Sequence, residues 1–321
     1  MDINKNTVIV IVGPTGVGKT KTSVNLAKKL NAKIVSADSM QIYKKMDIGT
    51  AKVTKDEMQN IEHYMIDIIN PYQEYNVADY VSDAKKCVDL ILKDGFVPIL
   101  VGGTGLYVDS LINGIDFSIE NNDESFREHL KKLAEENGNQ SVYDMLYDVD
   151  PESALATHPN NLKRVIRALE IYHTTGKTKT ELDKEAKEKG IGYDSIKIGL
   201  TQPREILYEK IDLRVDKMVK EGLVDEVENI LKSEKGFSKT ASMAIGYREI
   251  ISYLNGECSL DEAIFLLKRN SRRYAKRQFT WFTKDESINW INTLDLSDDE
   301  ILDECIKIVE NKSYEYERRK I

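Results

Sequence analysis

Residues 7–20 read TVIVIVGPTGVGKT, and the reading of this stretch decides the fold. Thr7 to Val12 is a β-branched run suited to a buried strand. Gly13, Pro14, Thr15, Gly16, Val17, Gly18, Lys19 and Thr20 then match G-x-x-x-x-G-K-[ST], and Lys21 to Leu30 is helix-forming. Strand, loop and helix thus follow in the order that makes the motif a phosphate cradle. Glycines let backbone N–H groups turn inward around phosphate oxygens, and the helix N-terminus adds a favourable dipole. Lys19 supplies a point charge, and the Thr20 hydroxyl suits Mg²⁺. The loop by itself leaves the ligand open between ATP, GTP and another diphosphate.

Outward from the loop, apolar runs stand at Ala32 to Ala37 and Phe96 to Gly102. Between them Val77, Tyr80, Val81, Ala84, Val88, Ile91 and Leu92 share one helical face. Helices alternating with strands predict an α/β fold, a P-loop NTPase-like parallel sheet core covered on both sides. From about Ser118 to Ser195 the chain is charged and lacks β-branched runs, which predicts an inserted helical domain at 118–195 within a core of 1–117 and 196–321. One helix there carries Leu162, Val165, Ile166 and Leu169 on a single face, with His158-Pro159-Asn160-Asn161 placed to cap it. Ile196 to Leu200 reads as a strand returning to the core. Helical patterns follow at Arg204 to Ser233, at Leu260 to Phe282 and after the capping box Ser297-Asp298-Asp299-Glu300.

Composition fits a folded protein: 321 residues, 41% hydrophobic and 31% charged, with 6 Pro and 18 Gly. No apolar run approaches a membrane span, and Met1 to Thr7 is polar, so a cytoplasmic protein with no membrane partner is expected. Cys87, Cys258 and Cys305 are too scattered for a zinc site or a disulfide framework. His63, His129, His158 and His173 show no metal-ligand spacing and read as structural or solvated. The formal charge of −8 argues against indiscriminate nucleic-acid binding, which needs Lys and Arg at phosphates. A local basic face is nevertheless present. Lys163, Arg164 and Arg167 flank the apolar stripe of their helix, and Lys268, Arg269, Arg272, Arg273, Lys276 and Arg277 form adjacent rows. Tyr274 lies among them as a base-stacking aromatic, whereas Phe279, Trp281 and Phe282 read as core.

A guanine-reading NKxD element is absent, which sets aside a regulatory GTPase. Ile34 to Asp38 does resemble the strand-plus-Asp of an ATPase, but Asp38 opens a longer string, Asp38-Ser39-Met40-Gln41-Ile42-Tyr43, followed by Asp47-Ile48-Gly49-Thr50-Ala51-Lys52. Here the sequence resembles the tRNA dimethylallyltransferase family. The likeness runs in order through GPTGVGKT, ADSMQIYKKMDIGTAK, HYMIDI, LVGGTGLYV, HPNNLKRVIRALEIY, AIGYRE and AKRQFTWF. It departs at Glu62, Val53 and Lys163, where relatives often carry His, Pro and Gln.

The resemblance implies a dimethylallyl diphosphate donor held by Gly13, Thr15, Gly16, Val17, Gly18, Lys19 and Thr20 with Mg²⁺. The implied acceptor is N6 of the adenosine beside the anticodon, presented by a tRNA anticodon stem-loop. Such chemistry needs a base at the amine and neutralisation of the leaving diphosphate. The resemblance gives these catalytic parts to Asp38, Thr104 and Arg214, and tRNA contact to Asp38, Ser39, Met40, Gln41, Lys163, Arg164, Arg167, Arg248, Arg273, Lys276, Arg277 and Gln278. A monomer is expected. Plainer readings remain at this stage: Asp38 as a Mg²⁺ ligand or cap, Thr104 as a turn hydroxyl, and Arg214 paired with Asp212 or Asp216. A small-molecule kinase, a prenyltransferase acting on a free adenine nucleotide and a non-catalytic RNA-binding protein are the competing functions.

Overall fold

The computed structural model describes residues 6–114, 123–188 and 192–318. The chain divides into two compact units, Met1–Leu111 with Tyr193–Ile321, and Ile112–Gly192. The expected boundary between 117 and 118 lies outside the described residues, and the strand that returns to the first unit opens at Asp194.

In the first unit, β1 (Thr7–Val12), β2 (Ala32–Ser36), β3 (His63–Tyr64), β4 (Val97–Gly102), β5 (Asp194–Thr201) and β6 (Asn289–Asn292) form one sheet in the order β3-β2-β4-β1-β5-β6. Every pairing is parallel. A parallel sheet needs both faces covered, and β1 is buried along its whole length. Ile9, Ile11, Ile34, Ile99 and Ile198 pack with Leu26 of the helix Lys19–Leu30 and with Cys305 and Val309 of the helix Asp298–Arg318. Each such side chain contributes about 1.5–3 kcal/mol by leaving water.

The register brings three loops together: Val12 pairs with Gly102, and Ser36 with Val101. The strand ends therefore deliver the phosphate loop, Asp38 and the Gly102-Gly103-Thr104 turn to one place. Gly102 is required there, since a Cβ would overlap the Ala37 carbonyl. A second apolar cluster joins Tyr43 and Met46 to the helices Arg204–Lys220, Leu223–Leu231, Tyr247–Leu254 and Leu260–Phe282 through Val215, Leu223, Val227, Tyr247 and Leu267.

The second unit is helical. Leu130, Val142, Leu146, Val165, Ile166 and Leu169 form its core. Beside it the fully buried Glu170 accepts from Arg127 and Arg167, each at 2.7 Å, so the charge is paired on two sides.

The helical stretch Arg204 to Ser233 forms as two helices, parted at Gly222 with φ 100°. Two local expectations change. Asn161 sits at the N-cap of Leu162–Thr175 but makes no capping bond through its side chain. β6 was unexpected, its NWIN sequence being half polar. The Ser297 box forms as read, with Glu300 N donating to Ser297 Oγ at 3.3 Å and Ser297 N to Glu300 Oε2 at 2.8 Å.

Candidate active site

The phosphate loop leaves β1 at Gly13, whose φ of 144° and contact with the Leu200 carbonyl exclude any side chain. Val17 is buried beneath the loop, while Gly18 caps the following helix at φ 100°. Lys19 Nζ donates to the Gly13 and Pro14 carbonyls, both at 2.9 Å, which holds the ammonium over the cradle. Burial pushes its pKa down to about 8, against the upward pull of Asp38 and with Arg214 adding to the fall. Thr15, Gly16, Gly18 and Thr20 join Lys19 on the wall of a cavity of about 490 Å³.

Asp38 follows β2 and uses one oxygen locally: Oδ1 accepts from Met40 N at 2.9 Å and Gln41 N at 3.3 Å. This fixes the carboxylate and leaves Oδ2 without a hydrogen-bond partner among the described residues. Thr104 Oγ1 accepts from Ser39 N at 3.1 Å, so the turn after β4 and the Asp38 loop hold each other. Arg214 Nη1 donates to Thr15 Oγ1 at 3.1 Å. Its guanidinium is half-buried, and the desolvation this brings lowers its pKa, opposed by Asp38. The surface alternative for Arg214 fails because Asp212 and Asp216 are engaged elsewhere, by Arg272 at 2.5 Å and Lys268 at 2.6 Å.

A second cavity, of about 290 Å³, opens on the other side of these groups and is lined by Ser39, Met40, Met243, Ile245, Arg248, Ser271, Tyr274 and Arg277. Thr15, Asp38, Thr50 and Arg214 line both cavities. One chamber thus offers the phosphate loop and Lys19, the other an aromatic and apolar wall of Tyr274, Met40, Met243 and Ile245 edged by Arg248 and Arg277, and a carboxylate stands where they meet. Tyr274, its pKa raised to about 12 chiefly by burial, is a neutral phenol in that wall.

The residues expected at RNA divide into groups. Lys163 and Arg164 are exposed on the second unit, but Arg167 spends its guanidinium on Glu170. On the helix Leu260–Phe282, Arg273, Lys276 and Arg277 are exposed, whereas Lys268 and Arg272 are tied to Asp216 and Asp212. The basic face is therefore narrower than the sequence indicated. Arg248 lines the second cavity with Nε 2.6 Å from Glu249. Gln278 does not face solvent: it is 5% exposed, with Oε1 accepting from Thr15 N at 2.9 Å and Nε2 donating to Gly103 O at 3.0 Å. Of the aromatics read as core only Phe282 is buried, while Phe279 and Trp281 are 42% and 39% exposed.

The IPP transferase family model matches residues 41–285. The chain belongs to the IPP transferase family. It is 52% identical over 289 residues to the tRNA dimethylallyltransferase of Halothermothrix orenii, covering 90% of this chain and 88% of that one. The tRNA isopentenylpyrophosphate transferase of Bacillus halodurans superposes with a TM-score of 0.74 at 42% identity, covering 98% and 99% of the two chains. A eukaryotic dimethylallyltransferase acting on tRNA gives 0.75 at 31% identity, over 90% of this chain and 74% of that chain.

Within this IPP transferase, sequence reasoning missed Thr50, which lines both cavities, and Glu226, which holds the loop that carries Thr50. Glu226 carried no motif signal, since an acidic residue in the first turn of the helix Leu223–Leu231 is also what the helix dipole favours.

Proposed function

We propose that this chain transfers a dimethylallyl group from dimethylallyl diphosphate to N6 of the adenosine beside the anticodon of tRNA, releasing diphosphate. The observation that carries the reading is the junction of two unlike cavities at Thr15, Asp38, Thr50 and Arg214 within a member of this family. The phosphate-loop cavity suits the diphosphate, and the cavity with Tyr274 and Met40 suits a planar base.

In the reaction N6 forms a bond to the allylic carbon, the carbon–oxygen bond breaks and its electron pair leaves with the diphosphate. Asp38 takes the N6 proton, its Oδ1 steadied by Met40 N and Gln41 N. Lys19, Arg214 and the loop N–H groups neutralise the leaving charge. Thr104 orients this end of the site through Ser39. The oxygen donors present fit Mg²⁺, since the Thr20 hydroxyl stands on the cavity wall and a diphosphate brings further hard oxygens; the ion would add charge neutralisation there. Arg273, Lys276, Arg277, Lys163 and Arg164 supply phosphate contacts for RNA.

No described helix is long and apolar enough to cross a membrane, which accords with a tRNA substrate in the cytoplasm. The protein acts as a monomer on this reading.

The test incubates the protein with labelled dimethylallyl diphosphate and Mg²⁺ alongside unmodified tRNA, an anticodon hairpin, the same hairpin with the target adenosine paired, and AMP. A parallel arm supplies ATP. Prenylated adenosine is expected in tRNA and the open hairpin only, because an unpaired base leaves its stack most readily. Equal transfer to AMP, or ATP turnover without prenylation, would overturn the reading.

A further inference from the structure

The Asp47–Thr50 loop is held from outside the site by one carboxylate. Glu226 Oε2 accepts from Asp47 N at 2.9 Å and Ile48 N at 2.8 Å, while Oε1 accepts from Gly49 N at 3.1 Å and from the Tyr247 hydroxyl at 2.6 Å. Three successive backbone N–H groups converging on an anion form a nest, usually a site for a ligand; here the protein fills it with its own side chain. Gly49 lies flat on the Tyr247 ring, closely enough that a Cβ would overlap it. Tyr247 is fully buried, so the ring is a fixed floor.

The loop so held reaches the reacting end of the site. Thr50 lines both cavities, and its hydroxyl is turned back onto Met46 O at 2.7 Å. Gln41 Nε2 donates to the Thr50 and Ala51 carbonyls at 3.4 and 3.3 Å, and Gln41 N donates to Asp38 Oδ1 at 3.3 Å. On the far side Lys52 Nζ pins Asp47 and Asp67, each at 2.6 Å, and the Tyr43 carbonyl at 2.7 Å. A continuous chain of hydrogen bonds thus runs from Glu226 through the loop and Gln41 to Asp38.

We infer that Glu226 is a positioning residue for prenyl transfer, setting through the Asp47–Thr50 loop and Gln41 where the Asp38 carboxylate stands at the junction of the two cavities. This rests on the proposed transferase reading. Neither donor nor RNA touches Glu226 in this account, so its effect falls on the chemical step. The change Glu226→Gln keeps the shape but gives one acceptor oxygen and one amide donor, so at least one backbone N–H of the nest loses its acceptor.

The experiment measures single-turnover prenylation, separate dissociation constants for dimethylallyl diphosphate and tRNA, and hydrogen exchange of the Asp47–Gly49 amides in wild type and Glu226→Gln. A second variant, Tyr247→Phe, removes the hydroxyl that donates to Glu226 Oε1 while keeping the ring beneath Gly49 and touching neither cavity. Both should slow the step roughly ten- to a hundredfold, as small misplacements of reacting groups do, with both dissociation constants within about threefold of wild type. Exchange at Asp47–Gly49 should quicken in Glu226→Gln. Unchanged exchange, an unchanged rate, or a loss of donor or tRNA affinity as large as the loss of rate would overturn the proposal. Wild-type protein that transfers no prenyl group would instead defeat the functional reading, and the exchange measurement would still judge the nest.

Discussion

Arg214 Nη1 donates to the Thr15 hydroxyl at 3.1 Å, joining a helix that begins at Arg204 to a phosphate loop nearly two hundred positions earlier. The contact points the guanidinium at the cradle and not at the carboxylates beside it in sequence. Arg214→Ala should lower single-turnover prenylation by about 10²–10³, the usual loss when one donor to a developing anion is removed. Arg214→Lys should recover little, because a point charge does not reproduce the fork. Rapid-quench kinetics would measure both, and wild-type rates in the alanine variant would remove Arg214 from the chemistry.

Asp38→Asn preserves size and the acceptor for Met40 N while removing basicity. Turnover should fall by about 10²–10⁴ with tRNA affinity nearly unchanged. If more than about a tenth of the rate survived, the base would have to be sought elsewhere in the chamber.

The depressed pKa of Lys19, about 8, gives a pH signature in donor binding. A bound diphosphate favours the ammonium, so affinity is full below about pH 8, where Lys19 is already charged in the free protein, and falls as pH rises above it. The fall is at most about tenfold per unit. Calorimetric titrations between pH 7 and 9.5 should show it, and Lys19→Met should bind weakly with a flat profile over this ~2.5-unit range. A sloping profile in the methionine variant would assign the titration to another group.

Gln278 joins two loops, so its loss should appear in the donor site and not in RNA binding. Gln278→Ala leaves the Thr15 amide and Gly103 carbonyl without their partner, at about 1–3 kcal/mol for each group. Thermal stability and donor affinity should both drop while the salt dependence of tRNA binding stays as in wild type. A changed salt slope would return Gln278 to the RNA surface.

The exposed and the paired cations of the Leu260–Phe282 helix should behave differently. Replacing Arg273 and Arg277 should reduce the slope of log K for tRNA against log salt by roughly 0.7–0.9 per lost phosphate contact. Arg272→Ala should leave that slope alone and loosen the packing of two helices, because Arg272 is bonded to both oxygens of Asp212 at 2.5 and 2.6 Å. Filter binding across a salt series separates the two outcomes.

The phosphate loop and the strands on either side of it were legible because their chemistry is local: a β-branched run, glycines where φ is positive, a helix former after Lys19. Asp38 and Thr104 were singled out through motif resemblance, and the register Ser36 to Val101 shows why their two loops meet. What the sequence hid are pairings over long separations. Nothing near Lys268 or Arg272 announces that Asp216 and Asp212 will neutralise them, so the basic face looked wider than it is. Gln278 stood beside Lys276 and Arg277 and shared their reading as tRNA contacts, although its position on the helix turns it inward. The strand Asn289–Asn292 escaped because two of its four residues are asparagine and its two apolar residues are adjacent, giving neither an alternation nor an apolar run.

The sharing of Thr15, Asp38, Thr50 and Arg214 by both cavities has a consequence for wasted donor. If the donor and base sit as proposed, any water standing in the base chamber faces the same allylic carbon that N6 is meant to attack. On the proposed reading the incoming adenine is therefore both reactant and stopper: by filling its chamber it denies the electrophile to solvent. Fidelity against hydrolysis then depends on how well the nucleobase covers Asp38 and Thr50 where the two cavities meet, so a smaller or badly seated acceptor would waste donor.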